Sequence, residues 1–317
     1  MSNLLEAALY ASRSLFHYTS LESLISIVQS GSIRFSHLRS LNDPREVHLG
    51  QEKISKFLEG MGFLPNTPEQ AFHVSLLKQY NHIYKNIEIF GISLTKKADS
   101  LSQWLAYGDG GSGICLGFTP SFIYPKVIET IRRVDVIYSE SDAIEKIALI
   151  YRNYQDGWKQ KYASIDPLIN DWDPEEDIPL EYKGALSHLY NCVAELSSLA
   201  ASYKHESWQH EEEVRYIIKI FKFGTPGMTG FRIGDNLRKL GVEKVEYRAK
   251  EGRIVPFVTI PLYRFPVEQT SHNPQVFSVS DIITGSKCRA DIDTISCLLE
   301  SSDFFGYRIR ESSCDFV

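Results

Sequence analysis

The chain has 317 residues, 43% of them hydrophobic and 23% charged, with a formal net charge of −6. This is ordinary globular usage, in a chain long enough to bury a substantial core in one large domain or two smaller ones. No apolar run approaches the roughly 20 residues of a membrane span, the first residues lack the basic-then-apolar pattern of a secretory leader, and the five cysteines contain no CxxC pair, so the chain reads as cytoplasmic.

In chain order, a first helix is expected over Leu4 to Arg13. Phe16-His17-Tyr18-Thr19 reads as a short strand ending in a polar step. Thr19 with Glu22 reads as a capping box, opening a helix in which Leu21, Leu24, Ile25 and Val28 recur at helical spacing. Gly31, lacking a Cβ, stops that helix. Ile33 to Ser36 resumes as a strand, and the turn Asn42-Asp43-Pro44 feeds a second helix through about Leu58. A helix from Glu69 to Lys85 precedes the strand Glu88 to Leu94. After Ser102 to Tyr107, a glycine-rich turn leads into the strand Ile114 to Phe118. The block from about Thr119 to Tyr203 is mostly helical apart from Val134 to Tyr138. Strands return at Glu213 to Phe223, Arg253 to Leu262 and Ser280 to Thr284, before a helix near Ile292 to Leu299 and a last strand, Tyr307 to Arg310. Strand-rich ends around a helical middle predict an α+β fold, one domain over 1–317 with a mostly helical insertion at about 119–205.

Two motifs mimic chemistry. Gly108, Gly110 and Gly113 satisfy GxGxxG, but they precede an apolar strand instead of opening a helix, so they read as a turn and not as a dinucleotide cradle. His205-Glu206 and His210 carry one residue too many for a zinc-protease helix, since five residues turn the second imidazole away from the first. No metal site is expected. Charge is uneven. Asp166 to Glu181 holds seven acidic residues and no Lys or Arg, whereas Val214 to Arg264 holds eleven basic residues against four acidic ones. Two solvated faces would explain this, as would a basic half that meets an anionic partner such as a dinucleotide or a nucleic acid.

The informative segment begins at Trp208. In a strand, alternation puts Val214, Tyr216, Ile218 and Ile220 toward the core and Glu211, Glu213 and Arg215 together on the other face. Two carboxylates and a guanidinium in a row suit either a surface salt-bridge ladder or a catalytic site.

The chain resembles the bacterial domain-of-unknown-function family 2971. The resemblance rests on His17-Tyr18-Thr19-Ser20, Leu41-Asn42-Asp43-Pro44 with Glu46, Ser93, and Trp104-x-x-Tyr107. It continues in Gly113 to Phe118, Trp208-x-x-Glu211-x-Glu213-x-Arg215, Tyr247-Arg248 and Asp281 to Gly285. It covers roughly 15–118 and 205–315, and the helical middle matches nothing nameable. The strand order and opening motif look like the ADP-ribosyltransferase superfamily, including the DNA-modifying DarT-type toxins, which implies a split β-sheet core. By that resemblance His17, Tyr18, Thr19, Asn42, Trp104, Tyr107 and Arg215 would hold NAD, with His17 on the adenosine side and Trp104 and Tyr107 walling the nicotinamide pocket. Glu213, with Glu211, would be the catalytic carboxylate.

The implied activity is transfer of ADP-ribose from NAD, used as substrate without a metal, to a macromolecular acceptor, either nucleic acid or protein. The setting would be toxin or phage-defence biology, with an antitoxin or defence-system partner. Two rivals share these residues: an NAD glycohydrolase, and a non-catalytic nucleotide-binding or adaptor module. Glu213→Gln is expected to leave the melting temperature almost unchanged.

Overall fold

The computed structural model describes residues 14–40, 45–119, 122, 130–164, 180–225, 228–250, 252–266, 275–277 and 279–314. The expected first helix, Leu4 to Arg13, and Asn42 with its turn lie outside the described residues, as does most of the acidic run. Among the described residues no helix is long and apolar enough to cross a membrane.

The fold is mixed α+β, built on an eleven-stranded sheet. Its main path comprises β1 (Leu15–Thr19), β2 (Ser32–His37), β3 (Ile87–Thr95), β4 (Ile114–Phe118), β8 (Glu246–Lys250), β9 (Arg253–Pro261), β12 (Val279–Thr284) and β13 (Arg308–Glu311). They run in the order β13-β12-β4-β1-β3-β2-β9-β8, with β12 and β13 parallel, while β10 (Arg264–Pro266) and β11 (Gln275–Phe277) form a separate two-stranded sheet. On β3 the sheet branches. The long strand β6 (Glu213–Thr225) pairs with β3 along its whole length, and β5 (Arg132–Asp135) and β7 (Met228–Arg232) pair with β6. β1 and β2 therefore share the other edge of β3. β1 touches it at Thr95, and β2 at Phe90 and Gly91. Between those contacts the sheet parts, and α1 (Leu21–Ser30), which joins β1 to β2, crosses there.

α1 shows how local chemistry sets the elements. Its N-cap is Ser20, whose hydroxyl accepts from the Ser23 backbone N–H. The cap is thus one residue later than the Thr19 expected from sequence, because Thr19 remains in β1, paired with Ile114. The helix ends at Gly31 with φ 58°, a left-handed conformation that glycine adopts without Cβ strain.

The centre of the sheet is buried on both faces. On one, Leu24 and Val28 of α1 and Ile295 and Leu299 of α8 (Ile292–Glu300) pack against Phe35, Phe90, Val214, Tyr216, Ile218 and Val258. On the other, α2 (Arg45–Glu59), α3 (Pro68–Tyr84), α5 (Glu140–Lys161) and α6 (Leu180–Ala200) enclose Phe72, Tyr151, Trp158 and Leu189 and cover Ile89 and Ile217. Each fully buried side chain of this size contributes about 1.5–3 kcal/mol. The helical layer is therefore not built by the 119–205 segment alone, since α2 and α3 from earlier in the chain complete it. Sequence reading also missed β7, the short α7 (Asp235–Arg238) and β8. These lie in polar, glycine-containing stretches without a clean apolar period.

Candidate functional site

A cleft of about 610 Å³ opens where the sheet parts. Its lining includes His17, Tyr18 and Thr19 from β1, Ser93 from β3, Tyr107 from α4 (Leu101–Tyr107), Lys204, Glu211, and Glu213 and Arg215 from β6. Of the residues expected to hold NAD, five thus meet both expected carboxylates in one cavity.

Trp104 does not join them. It is fully buried, donates from Nε1 to Asp99 at 2.7 Å, and offers its ring to the edge of Tyr18 at 4.8 Å. It seats α4 from behind and does not wall the cleft. Asp99 is the other half of that seat, accepting also from the hydroxyls of Ser312 and Ser313 at 2.6 and 2.9 Å. Burial opposes ionisation of Asp99, but these donors outweigh it and hold the carboxyl at about 2. Tyr18 closes the frame, its phenol bonded to the Lys97 carbonyl and the Ser100 amide.

At the acidic end, a short 3₁₀ turn, Glu206–Glu211, leads into β6. Between them Glu212 adopts φ 45°, ψ 49°, a left-handed conformation uncommon for a side chain with a Cβ. That single kink means that Glu211 is not part of the strand, so simple alternation does not place it. Glu212 points elsewhere and pairs with Lys97 at 3.3 Å. Glu211 and Glu213 nevertheless converge on one cation, the Lys204 ammonium, which lies 2.5 Å from Glu211 Oε2 and 3.3 Å from Glu213 Oε2. Lys204 is itself placed by its backbone amide, bonded to the Ile137 carbonyl, and stands 4.7 Å over the Trp208 ring.

Arg215 completes the network. Its Nε and Nη2 reach Glu213 at 2.6 and 3.0 Å, and Nη1 donates to the Ala201 carbonyl at 2.7 Å. Lys204, Glu211, Glu213 and Arg215 are 3, 3, 7 and 2% exposed. The surface-ladder reading of these carboxylates is therefore overturned, because α6 and the chain after it cover this face of β6. Burial disfavours the Glu213 carboxylate, yet the charges of Arg215 and then Lys204 outweigh it and hold the group at about 2.

Tyr107 donates to Glu211 Oε1 at 2.8 Å, and Tyr138 accepts from the Glu213 backbone amide at 2.9 Å. Burial, followed by the neighbouring Glu211 carboxylate, pushes the Tyr107 phenol up, so it stays a donor. Burial pushes Tyr138 up to about 12. Glu213 accepts from Arg215 on both oxygens and from Lys204, while Glu211 accepts from Tyr107 and Lys204.

His17 lies across the cleft, its Nδ1 donating to the Ser93 carbonyl at 3.2 Å. Burial lowers its pKa against that bond, which favours a neutral ring with Nε2 as the acceptor nitrogen. Among the described residues no group of three or more His, Cys, Asp or Glu could hold a metal ion.

Lys204 and Tyr138 were not legible in the sequence, since a lone Lys after a helix and a Tyr after a strand carry no spacing signal. The glycine turn was legible. Gly113 leads into β4 and packs so closely that a Cβ there would lie 2.2 Å from the Thr19 carbonyl oxygen.

No curated protein and no solved structure matches the chain. One family does, and its match runs through the helical middle, which motif comparison had left without a counterpart. Residues 103–216, which carry Tyr107, Lys204, Glu211, Glu213 and Arg215, match the model of the family described as Protein of unknown function (DUF2971).

Proposed function

We propose that this protein is an ADP-ribosyltransferase that moves ADP-ribose from NAD to a macromolecular acceptor. The observation that carries this reading is the convergence of Glu211, Glu213, Tyr107 and His17 on one cleft at the parting of the sheet. An ADP-ribosyltransferase-like split sheet is part of the same proposal.

The chemistry balances without a further reagent. The bond between ribose C1′ and the nicotinamide nitrogen breaks, and its electron pair leaves with neutral nicotinamide. Positive charge then develops on the ribose, as in glycoside hydrolysis. A nucleophilic atom of the acceptor forms the new bond to C1′, and its proton passes to Glu211 or to solvent. Glu211 faces the sugar hydroxyls or the acceptor, while Glu213 contributes fixed negative charge and holds Lys204 and Arg215 in place. Arg215 acts here through Glu213 and not by touching pyrophosphate.

The test is incubation of the full chain with NAD and separate pools of DNA, RNA and protein, reading nicotinamide release and labelled polymer. Nicotinamide release with a labelled polymer is expected. Free ADP-ribose without any labelled polymer would make the protein a hydrolase, and NAD left intact for hours in every pool would sink the enzymatic reading.

A further inference from the structure

The far wall of the same cleft is basic and has no role in the chemistry above. Cross-strand register explains its composition. Glu246, Phe257, Ser36, Gly91 and Ile217 form one continuous row across β8, β9, β2, β3 and β6. Side chains two residues away on each strand share that face. Arg34, Thr259 and Arg248 therefore project into the cleft on the face that carries Ser93 and Arg215, and all of them line it.

Arg34, exposed at the cleft, and the half-buried Arg248 both bond to hydroxyls. Arg34 donates to the Ser26 hydroxyl at 3.3 Å and lies 5.1 Å over the Phe257 ring. Arg248 donates from Nη2 to the Ser36 hydroxyl at 3.2 Å, and its buried Nε–H has no acceptor among the described residues. Among the described residues neither is paired with a carboxylate. Glu246, an acidic side chain on the same wall, accepts from the Thr259 hydroxyl at 2.9 Å. Burial, and then the like charge of Arg34, lower the pKa of Arg248, so each guanidinium feels the other. Two like charges that line a cavity and bond to neutral hydroxyls form a site that an anion completes.

We infer that the Arg34–Arg248 wall is a subsite for the phosphates of a nucleoside diphosphate group. A diphosphate supplies several acceptor oxygens to two planar guanidiniums and relieves their mutual repulsion. Arg34, Arg215 and Glu211 all line the one cleft, so one ligand can engage this wall and the Glu211 end together. The inference rests on the NAD reading for the identity of the nucleoside, but not for the phosphates.

The experiment is titration calorimetry of the full chain at low salt with ADP, inorganic pyrophosphate, adenosine, and an oligonucleotide without terminal phosphates. ADP and pyrophosphate are expected to bind in competition, with adenosine at least about tenfold weaker than ADP. Arg34→Gln and Arg248→Gln should each weaken ADP about tenfold or more without changing adenosine. Arg152→Gln, on the exposed face of α5, should match the wild type. Equal affinity for ADP and adenosine in the wild type overturns the inference without recourse to any variant, as do unchanged ADP affinities in two folded variants. Competition by the oligonucleotide at ADP-like affinity would overturn it in favour of a polymer backbone. Arginine-dependent ADP binding in a protein that leaves NAD intact would sink the transferase reading alone. NAD turnover with an unaltered KM in both variants would sink this subsite alone.

Discussion

The phenol of Tyr107 donates to Oε1 of Glu211 over 2.8 Å, joining residues 104 positions apart. The bond ties the end of α4 to the entrance of β6 and orients the Glu211 carboxylate. Tyr107→Phe removes that hydrogen bond and little else. Stability should fall by about 1 kcal/mol. NAD cleavage should fall by roughly tenfold or more, since misorienting a catalytic group costs rate more than binding. Melting curves and nicotinamide release read the two effects, and unchanged turnover would remove Glu211 from the chemistry.

Glu213→Gln affects the fold as well as any reaction, contrary to what the sequence led us to expect. The carboxylate is 7% exposed and neutralises Arg215 and Lys204. Removing one member of a buried ion pair leaves an uncompensated charge, at a cost of about 3–5 kcal/mol. Glu212→Gln is the control, because Glu212 is exposed and pairs with the partly exposed Lys97. Denaturant unfolding should separate the two variants clearly. Equal stability would mean that Glu213 is not buried in solution as it is here.

The same carboxylate predicts acid sensitivity. Its folded value, about 2, lies below the ordinary 4.5. A depressed acid contributes stability that is fully present above the unfolded value and is lost as pH falls through the folded one. Stability should therefore decline between about pH 4.5 and pH 2, with Glu213 contributing about 3 kcal/mol of the loss. Wild type and Glu213→Gln, compared by urea unfolding across that window, should converge toward low pH. A constant gap between them would contradict the assignment.

Lys204→Met tests the cation shared by the two carboxylates. Without the ammonium, Glu211 and Glu213 face each other across a site that Arg215 only partly compensates. One proton should then be retained to higher pH. The acid limb of the NAD-cleavage profile should move upward in pH, and stability should drop by several kcal/mol. A profile unmoved in a folded Lys204→Met protein would show that the lysine does not set the charge of the pair.

Gly113→Ala addresses the turn that mimics a dinucleotide motif. A Cβ there would meet the Thr19 carbonyl oxygen at 2.2 Å, a backbone atom held by β1. The substitution should cost about 2 kcal/mol or more, as overpacking against backbone does. Gly110→Ala meets no atom within 4 Å, but its φ of 60° adds a left-handed penalty of about 1 kcal/mol. Thermal melts of the two variants should rank in that order, and the reverse order would contradict the packing argument.

Much of the fold was legible because its signals are local. Leu24 and Val28 mark a helical stripe, Gly31 ends it, and alternation in β6 separates Val214, Tyr216, Ile218 and Ile220 from Arg215 without reference to any other segment. Those residues also named the acidic cluster, since a carboxylate at Glu213 and a guanidinium at Arg215 share a face in any strand. What the sequence left open was everything that depends on what covers a face. Whether Glu213 is a surface rung or a buried charge is decided by α6 and Ala201. Whether Trp104 walls a cavity or fills the core is decided by Asp99 and the far C-terminal serines. Lys204 enters the site only because the chain after α6 is strapped to Ile137. Arg34 and Arg248, more than two hundred residues apart, line one cleft only because β9 lies between β2 and β8. Backbone periodicity depends on residues two to four positions apart, so sequence order carries it. The charge state and partners of a buried group depend on side chains brought in from distant segments, and only the tertiary structure fixes those.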